Sequence, residues 1–134
     1  MRRGAALAVL AVLLGAADPA PPPADQAPPD PAPSWPNAWD KRGVAEVAAL
    51  DKLSAQPTKL AIRAGESAPF HTLTIAVRAC MVHPPDQPAD ATAWLDVTDS
   101  QPDGPEFHGW MLANEPQLAI LRSPLYDVRL LGCR

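Results

Sequence analysis

The chain is poor in the residues that most simple chemistries need. It holds two cysteines, three histidines and one tyrosine in 134 residues, and the cysteines are not spaced Cys-x-x-Cys. A thioredoxin-type redox motif and a multi-thiolate zinc site are both excluded. There is no Gly-x-Ser-x-Gly elbow, and neither a cofactor loop nor a nucleotide loop is visible, which argues against an enzyme. Basic residues are scattered singly in a chain of formal charge −4, so nothing attracts nucleic-acid phosphates or anionic lipid. No apolar run reaches the roughly 20 residues needed to span a bilayer.

What is present begins with an address. Arg2 and Arg3 precede an apolar run from Ala5 to Leu14, and Gly15-Ala16-Ala17 follows with small residues. These are the parts of a cleavable secretory signal over residues 1–17, with Asp18 as the first mature residue. Asp18-Pro19 ends the apolar stretch, and no cysteine follows it to carry a lipid. The expected mature protein is therefore periplasmic or secreted, without stable membrane insertion. Loss of Arg2 and Arg3 takes its formal charge from −4 to −6.

From Pro19 to Pro36, nine of eighteen residues are proline. Such a stretch lacks backbone donors and apolar side chains for a core, so residues 18–42 read as a disordered, polyproline-like linker. Trp35 and Trp39 near its end are expected to dock on the domain.

Residues 43–134 read as the folded domain. Val44 to Lys52 suits a strand, with Leu53 to Thr58 as a hairpin connection. Leu60-Ala61-Ile62 leads to a turn at Ala64-Gly65-Glu66. Leu73, Ile75, Val77 and Ala79 alternate with Thr74, Ala76, Arg78 and Cys80, the period of a half-buried strand. Ala93, Leu95 and Val97 repeat that pattern against Trp94, Asp96 and Thr98. Gln101-Pro102-Asp103-Gly104-Pro105 is turn chemistry, and Phe107 to Ala113 is again extended. Asn114 as N-cap, Pro116 in the first turn and Leu118, Ile120 and Leu121 predict one or two helical turns, ended by Ser123-Pro124. A last strand covers Tyr126 to Leu130. The expected fold is all-β, a small antiparallel sandwich or barrel with one short helix.

In an exported protein, an isolated cysteine pair is most simply a disulfide. A Cys80–Cys133 bond would close a loop of more than fifty residues, worth about 4 kcal/mol in the chain-entropy model.

Several blocks resemble one family. They are Ala49-Leu50-Asp51-Lys52, Leu73 through Cys80, Pro84-Pro85-Asp86-Gln87-Pro88, Gly109 through Ala113 and Pro124 through Leu130. Over about residues 44–133 the chain is similar to the small exported, mainly alphaproteobacterial proteins grouped as domain-of-unknown-function 2155. The resemblance implies an envelope-located domain with no assigned activity, so it transfers no catalytic residue. Three positions depart from the family's pattern. His71 stands where glycine is common, Leu112 where an aromatic is common, and Ser123 where histidine is common.

The candidate chemistry is thin. Asp96, Asp99, Asp103 and Glu106 are dense, but Gln101 and Trp110 stand where a calcium loop needs oxygen ligands; a hairpin turn is expected instead. Cys80 and His83 have the spacing of half a zinc site without a second half. Asp96 and Asp127 sit at polar strand positions and would be an acid–base pair only if they shared a face. No metal, cofactor or catalytic residue is assigned; a non-catalytic binding or structural module is expected, with a small hydrolase-like periplasmic enzyme or a metal or small-ligand carrier as the alternatives. Trp110 and Met111 must point to opposite faces of their strand, so one can lie outside the core. Trp94, Trp110 and Met111 are the expected binding face, met by an envelope protein or cell-wall component.

Overall fold

A computed structural model describes residues 38–134. The expected signal peptide and nearly all of the expected proline-rich linker, Trp35 included, lie outside the described residues. Eight strands run in chain order among them: β1 (Asp40–Lys41), β2 (Val44–Asp51), β3 (Gln56–Arg63), β4 (Ser67–Phe70), β5 (Leu73–Val82), β6 (Ala91–Asp99), β7 (Phe107–Leu112) and β8 (Tyr126–Cys133). All pairings are antiparallel. The first sheet has the order β1-β5-β6-β7, with β4 on the same edge of β5 as β1; the second has the order β3-β2-β8. No strand of one sheet pairs with a strand of the other among the described residues, so the fold is an open sandwich rather than a closed barrel.

Turn chemistry sets the strand order. Between β2 and β3, the Asp51 carboxylate accepts the Leu53 N–H at 2.8 Å, and Ala55 takes φ 55° to bring the chain back. Gly65 supplies φ 90° between β3 and β4, which costs a glycine no Cβ clash. The two-residue turn between β4 and β5 places His71 at φ 52°. Left-handed backbone is a conformation that glycine adopts more readily than a residue with a Cβ. His71 is held there by packing, edge-on to Phe70 at 4.6 Å and stacked on Tyr126 at 5.9 Å.

One core lies between the sheets. Leu73, Ile75 and Val77 of β5, with Ala93, Leu95 and Val97 of β6, face Val47 and Ala49 of β2 and Val128 and Leu130 of β8. A fully buried Leu, Ile or Val of this set contributes about 1.5–3 kcal/mol. β3 protrudes along much of its length, and only Ile62 is buried in it.

The alternation of β5 does not run through to its end. Val77 pairs with Leu95 and Ala79 with Trp94, which leaves Arg78 as an extra residue in a β-bulge. A bulge shifts every later side chain to the opposite face. Cys80, expected on the outer face, therefore turns inward and is 2% exposed, while Ala79 turns outward. Facing inward, Cys80 meets Cys133 of the second sheet in a disulfide with a Cα–Cα distance of 5.8 Å. The bond closes over a sequence separation of 53 and ties the last strand to the sheet opposite.

The short helix is smaller than its sequence signals predict. It amounts to a single 3₁₀ turn over Pro116–Leu118, and Ala119 is already extended. Asn114 does not cap it; the Asn114 amide donates to the Ala89 carbonyl at 2.8 Å and pins the neighbouring loop. A segment this short cannot repay helix nucleation, and buried Leu121 with partly buried Ala119 anchors it to the core. Leu118 and Ile120 remain 66% and 56% exposed.

Candidate functional site

The turn between β6 and β7 fixes what faces what. Asp99 accepts the Gln101 N–H at 2.9 Å, Asp103 takes φ 59°, and Gly104 donates to the Gln101 carbonyl at 3.0 Å. A Cβ on Gly104 would lie 2.5 Å from the Asp99 Cβ, so glycine is required there. Asp99 and Asp103 are thus turn-forming groups. From this turn the register follows: Val97 opposite Phe107, Asp96 opposite His108, Trp94 opposite Trp110 and Ala93 opposite Met111.

Alternation then divides the binding residues expected from sequence. Met111 lies opposite Ala93 on the inner face and is 2% exposed. It is a core residue and does not belong to the outer surface. Trp94 and Trp110 lie on the outer face of the first sheet, each half-buried. Their rings meet edge to face at 5.7 Å and 88°, the geometry in which the positive edge of one ring meets the negative face of the other.

Beside this pair, Asp96 gathers three donors from three different positions. His108 Nδ1 stands 2.9 Å from Asp96 Oδ1, and the Trp94 Nε1–H donates to the same oxygen at 3.1 Å. Arg78, the bulged residue, bonds Oδ2 through its Nε. The Asp96 side chain is only 14% exposed. Burial by itself would raise its pKa, but the bonds from His108, Arg78 and Trp94 and the Arg78 charge outweigh that and hold it below the ordinary carboxylate value. Glu106 adds a carboxylate 3.7 Å from His108 Nε2. The lone pairs of Asp96 are committed to fixing Trp94 and its neighbours in place.

The other candidates are dispersed. Asp127 lies in β8 of the second sheet and pairs with Arg129 at 2.7 Å, so it shares no face with Asp96 and the two form no acid–base pair. Cys80 is consumed by the disulfide, which rules out a zinc half-site with His83. His83 instead sits against the Pro88 carbonyl at 2.7 Å and packs on Trp39 with ring centroids 3.8 Å apart. Trp39 thus docks on the domain as its apolar character suggests, and β1 beside it joins β5. Ser123 uses its hydroxyl to accept the N–H groups of Leu125 and Tyr126 at 3.2 and 3.0 Å. Among the described residues, no group of three or more His, Cys, Asp or Glu side chains could hold a metal, and no helix is long and apolar enough to cross a membrane.

Sequence reasoning did not bring His108 to Asp96. The signal was available: the Gln101–Gly104 turn places Asp96 opposite His108 once its centre is used to count the register. Only the bulge at Arg78 has no comparable local signature.

These features define a class: an open two-sheet antiparallel β domain, joined across its core by one disulfide, with an aromatic and polar outer face. The chain belongs to the family described as uncharacterized protein conserved in bacteria (DUF2155), whose model matches residues 45–133. The match spans nearly all of β2 to β8 and both cysteines. No curated protein and no solved structure matches the chain.

Proposed function

We propose that this chain is an exported, non-catalytic binding module of the bacterial envelope. Residues 1–17 act as its signal and the proline-rich residues after them link it to the domain that meets a partner; that domain starts earlier than the expected residue 43, because Trp39 packs on it and β1 (Asp40–Lys41) joins its first sheet. The observation that carries the reading is the Trp94–Trp110 pair. Two large aromatic rings sit on the outer face of a sheet, fixed by each other and by Asp96, although the core has no need of them. Rigid aromatic anchors of this kind carry a disproportionate share of binding energy at protein interfaces. Export is supported from both ends of the chain, by the Arg2 to Ala17 pattern and by the Cys80–Cys133 bond, which persists where thiols oxidise. The partner is an envelope protein or cell-wall component.

The test is in-cell crosslinking followed by pull-down of the mature protein, with and without Trp110→Ala. The expected result is a folded variant that no longer recovers an envelope partner present with the wild type. Recovery of the same partner by the folded variant would contradict the reading, and so would wholesale unfolding, which would make Trp110 a core residue.

A further inference from the structure

The connection from β7 to β8 leaves a groove of about 400 Å³ of mixed polar and apolar lining along the last strand of the first sheet. The ring of Phe107 and the side chains of Leu118 and Ile120 line it, and Arg122 is its one charged lining group. The Phe107 ring lies over Gly109, at ordinary contact distance from where a Cβ would stand. Leu121, buried at 1%, holds the connection down, while Leu118 and Ile120 stand 66% and 56% exposed. Arg122 has no hydrogen bond or ion pair to any described residue, unlike Arg78, Arg129 and Arg134, which all hold carboxylates. An exposed cation without a carboxylate, beside the side chains of Leu118 and Ile120, is complementary to an acidic, partly aliphatic ligand.

We propose that this groove takes a short peptide segment of a partner protein, with aliphatic side chains packed on Leu118 and Ile120 and a carboxylate paired with Arg122. The groove is open to solvent and covers a ligand from one side only. That suits a peptide whose other side stays on its parent protein, and it would leave a free acyl chain half in water. The inference rests on the reading of the domain as a binding module and adds the chemistry of what it binds next to Trp110.

The experiment uses the oxidised mature chain and short acetylated peptides with a Leu-x-Leu core, flanked by Asp, Asn or Lys. Binding is followed by fluorescence anisotropy, and the Leu118 and Ile120 methyl resonances are followed by NMR. The Asp peptide should shift both methyl resonances. Its affinity should fall roughly tenfold or more in Arg122→Glu, which should in turn favour the Lys peptide. Ile120→Asp should abolish the shifts in a chain that still unfolds cooperatively. The proposal is overturned if no peptide moves these resonances, or if the charge at position 122 makes no difference. It is equally overturned if laurate moves them where peptides do not, or if the resonances follow self-association of the chain. Loss of the envelope partner in Trp110→Ala, with no peptide at Leu118 and Ile120, would sink the groove alone and leave the broader reading standing.

Discussion

The two sheets present outer faces of different character. On the second sheet, Ala48 and Leu50 of β2 lie among Pro57 of β3 and Asp127 and Arg129 of β8. The ion pairs there, Arg129 with Asp127 and Arg134 with Glu46, join one cation to one carboxylate each, and the arginines are well exposed. On the first sheet, one carboxylate collects His108, Arg78 and Trp94, and an edge-to-face tryptophan pair lies alongside. Exposed single pairs are worth little, whereas a largely buried carboxylate with three donors forms a network whose members fix one another. The difference teaches that strand alternation decides which residues face out, and that cross-strand convergence decides which outer face is organised.

The contrast can be broken most severely by separating the sheets. Replacing Cys80 and Cys133 together by serine should cost about 4 kcal/mol, the loop-closure contribution for this separation, read as a large fall in the urea midpoint. An unchanged midpoint would mean that the disulfide does not hold the sheets together. Next in size is a matched pair of substitutions. Asp96→Ala should destabilise by roughly 1–3 kcal/mol, because it strands the part-buried Trp94 indole N–H and removes the shared acceptor of Arg78 and His108. Asp127→Ala should cost roughly 0–1 kcal/mol. Equal costs would erase the distinction between the faces.

A pH titration sharpens the same point. Because Asp96 is held below its ordinary value in the folded state, the stability it contributes is complete above the unfolded carboxylate value of about 4. It is lost as the pH falls through its own lower value. The wild type should therefore lose more stability than Asp96→Asn between about pH 4 and pH 2, and parallel curves would contradict the network. The smallest expected effect lies at the left-handed turn. His71→Ala keeps a Cβ at φ 52°, so it should be less stable than His71→Gly by about 1 kcal/mol. Thermal melts of the two variants would show whether it is.

Much of the architecture was legible in the sequence, and the failures have physical causes. The strict period of Leu73 to Val77 and of Ala93 to Val97 marks β5 and β6, because a sheet with one buried face enforces that period. The hairpins after Asp51 and Asp99 are written in residues that accept backbone N–H groups or tolerate positive φ. The inversion at Cys80 was not legible, because a bulge at an ordinary arginine needs no glycine to announce it. The expected helix after Asn114 stops at a single 3₁₀ turn, because Leu118, Ile120 and Leu121 have helical spacing but only Leu121 is buried in the core. Met111 and Trp110 were known to oppose each other, but which of them faces inward follows only from pairing with Ala93 and Trp94. The convergence of His108 and Trp94 with Arg78 on Asp96 was not legible, because the members come from three strands, one of them displaced by the bulge.

The central claim is that the organised face of the first sheet is the surface a partner meets. The most direct measurement is quantitative recovery of crosslinked envelope partners by the mature chain, comparing Trp110→Ala with Arg129→Ala on the opposite face. Partner recovery should be lost with the first variant and kept with the second, both melting cooperatively. Recovery that survives Trp110→Ala, or that falls equally with Arg129→Ala, would contradict it.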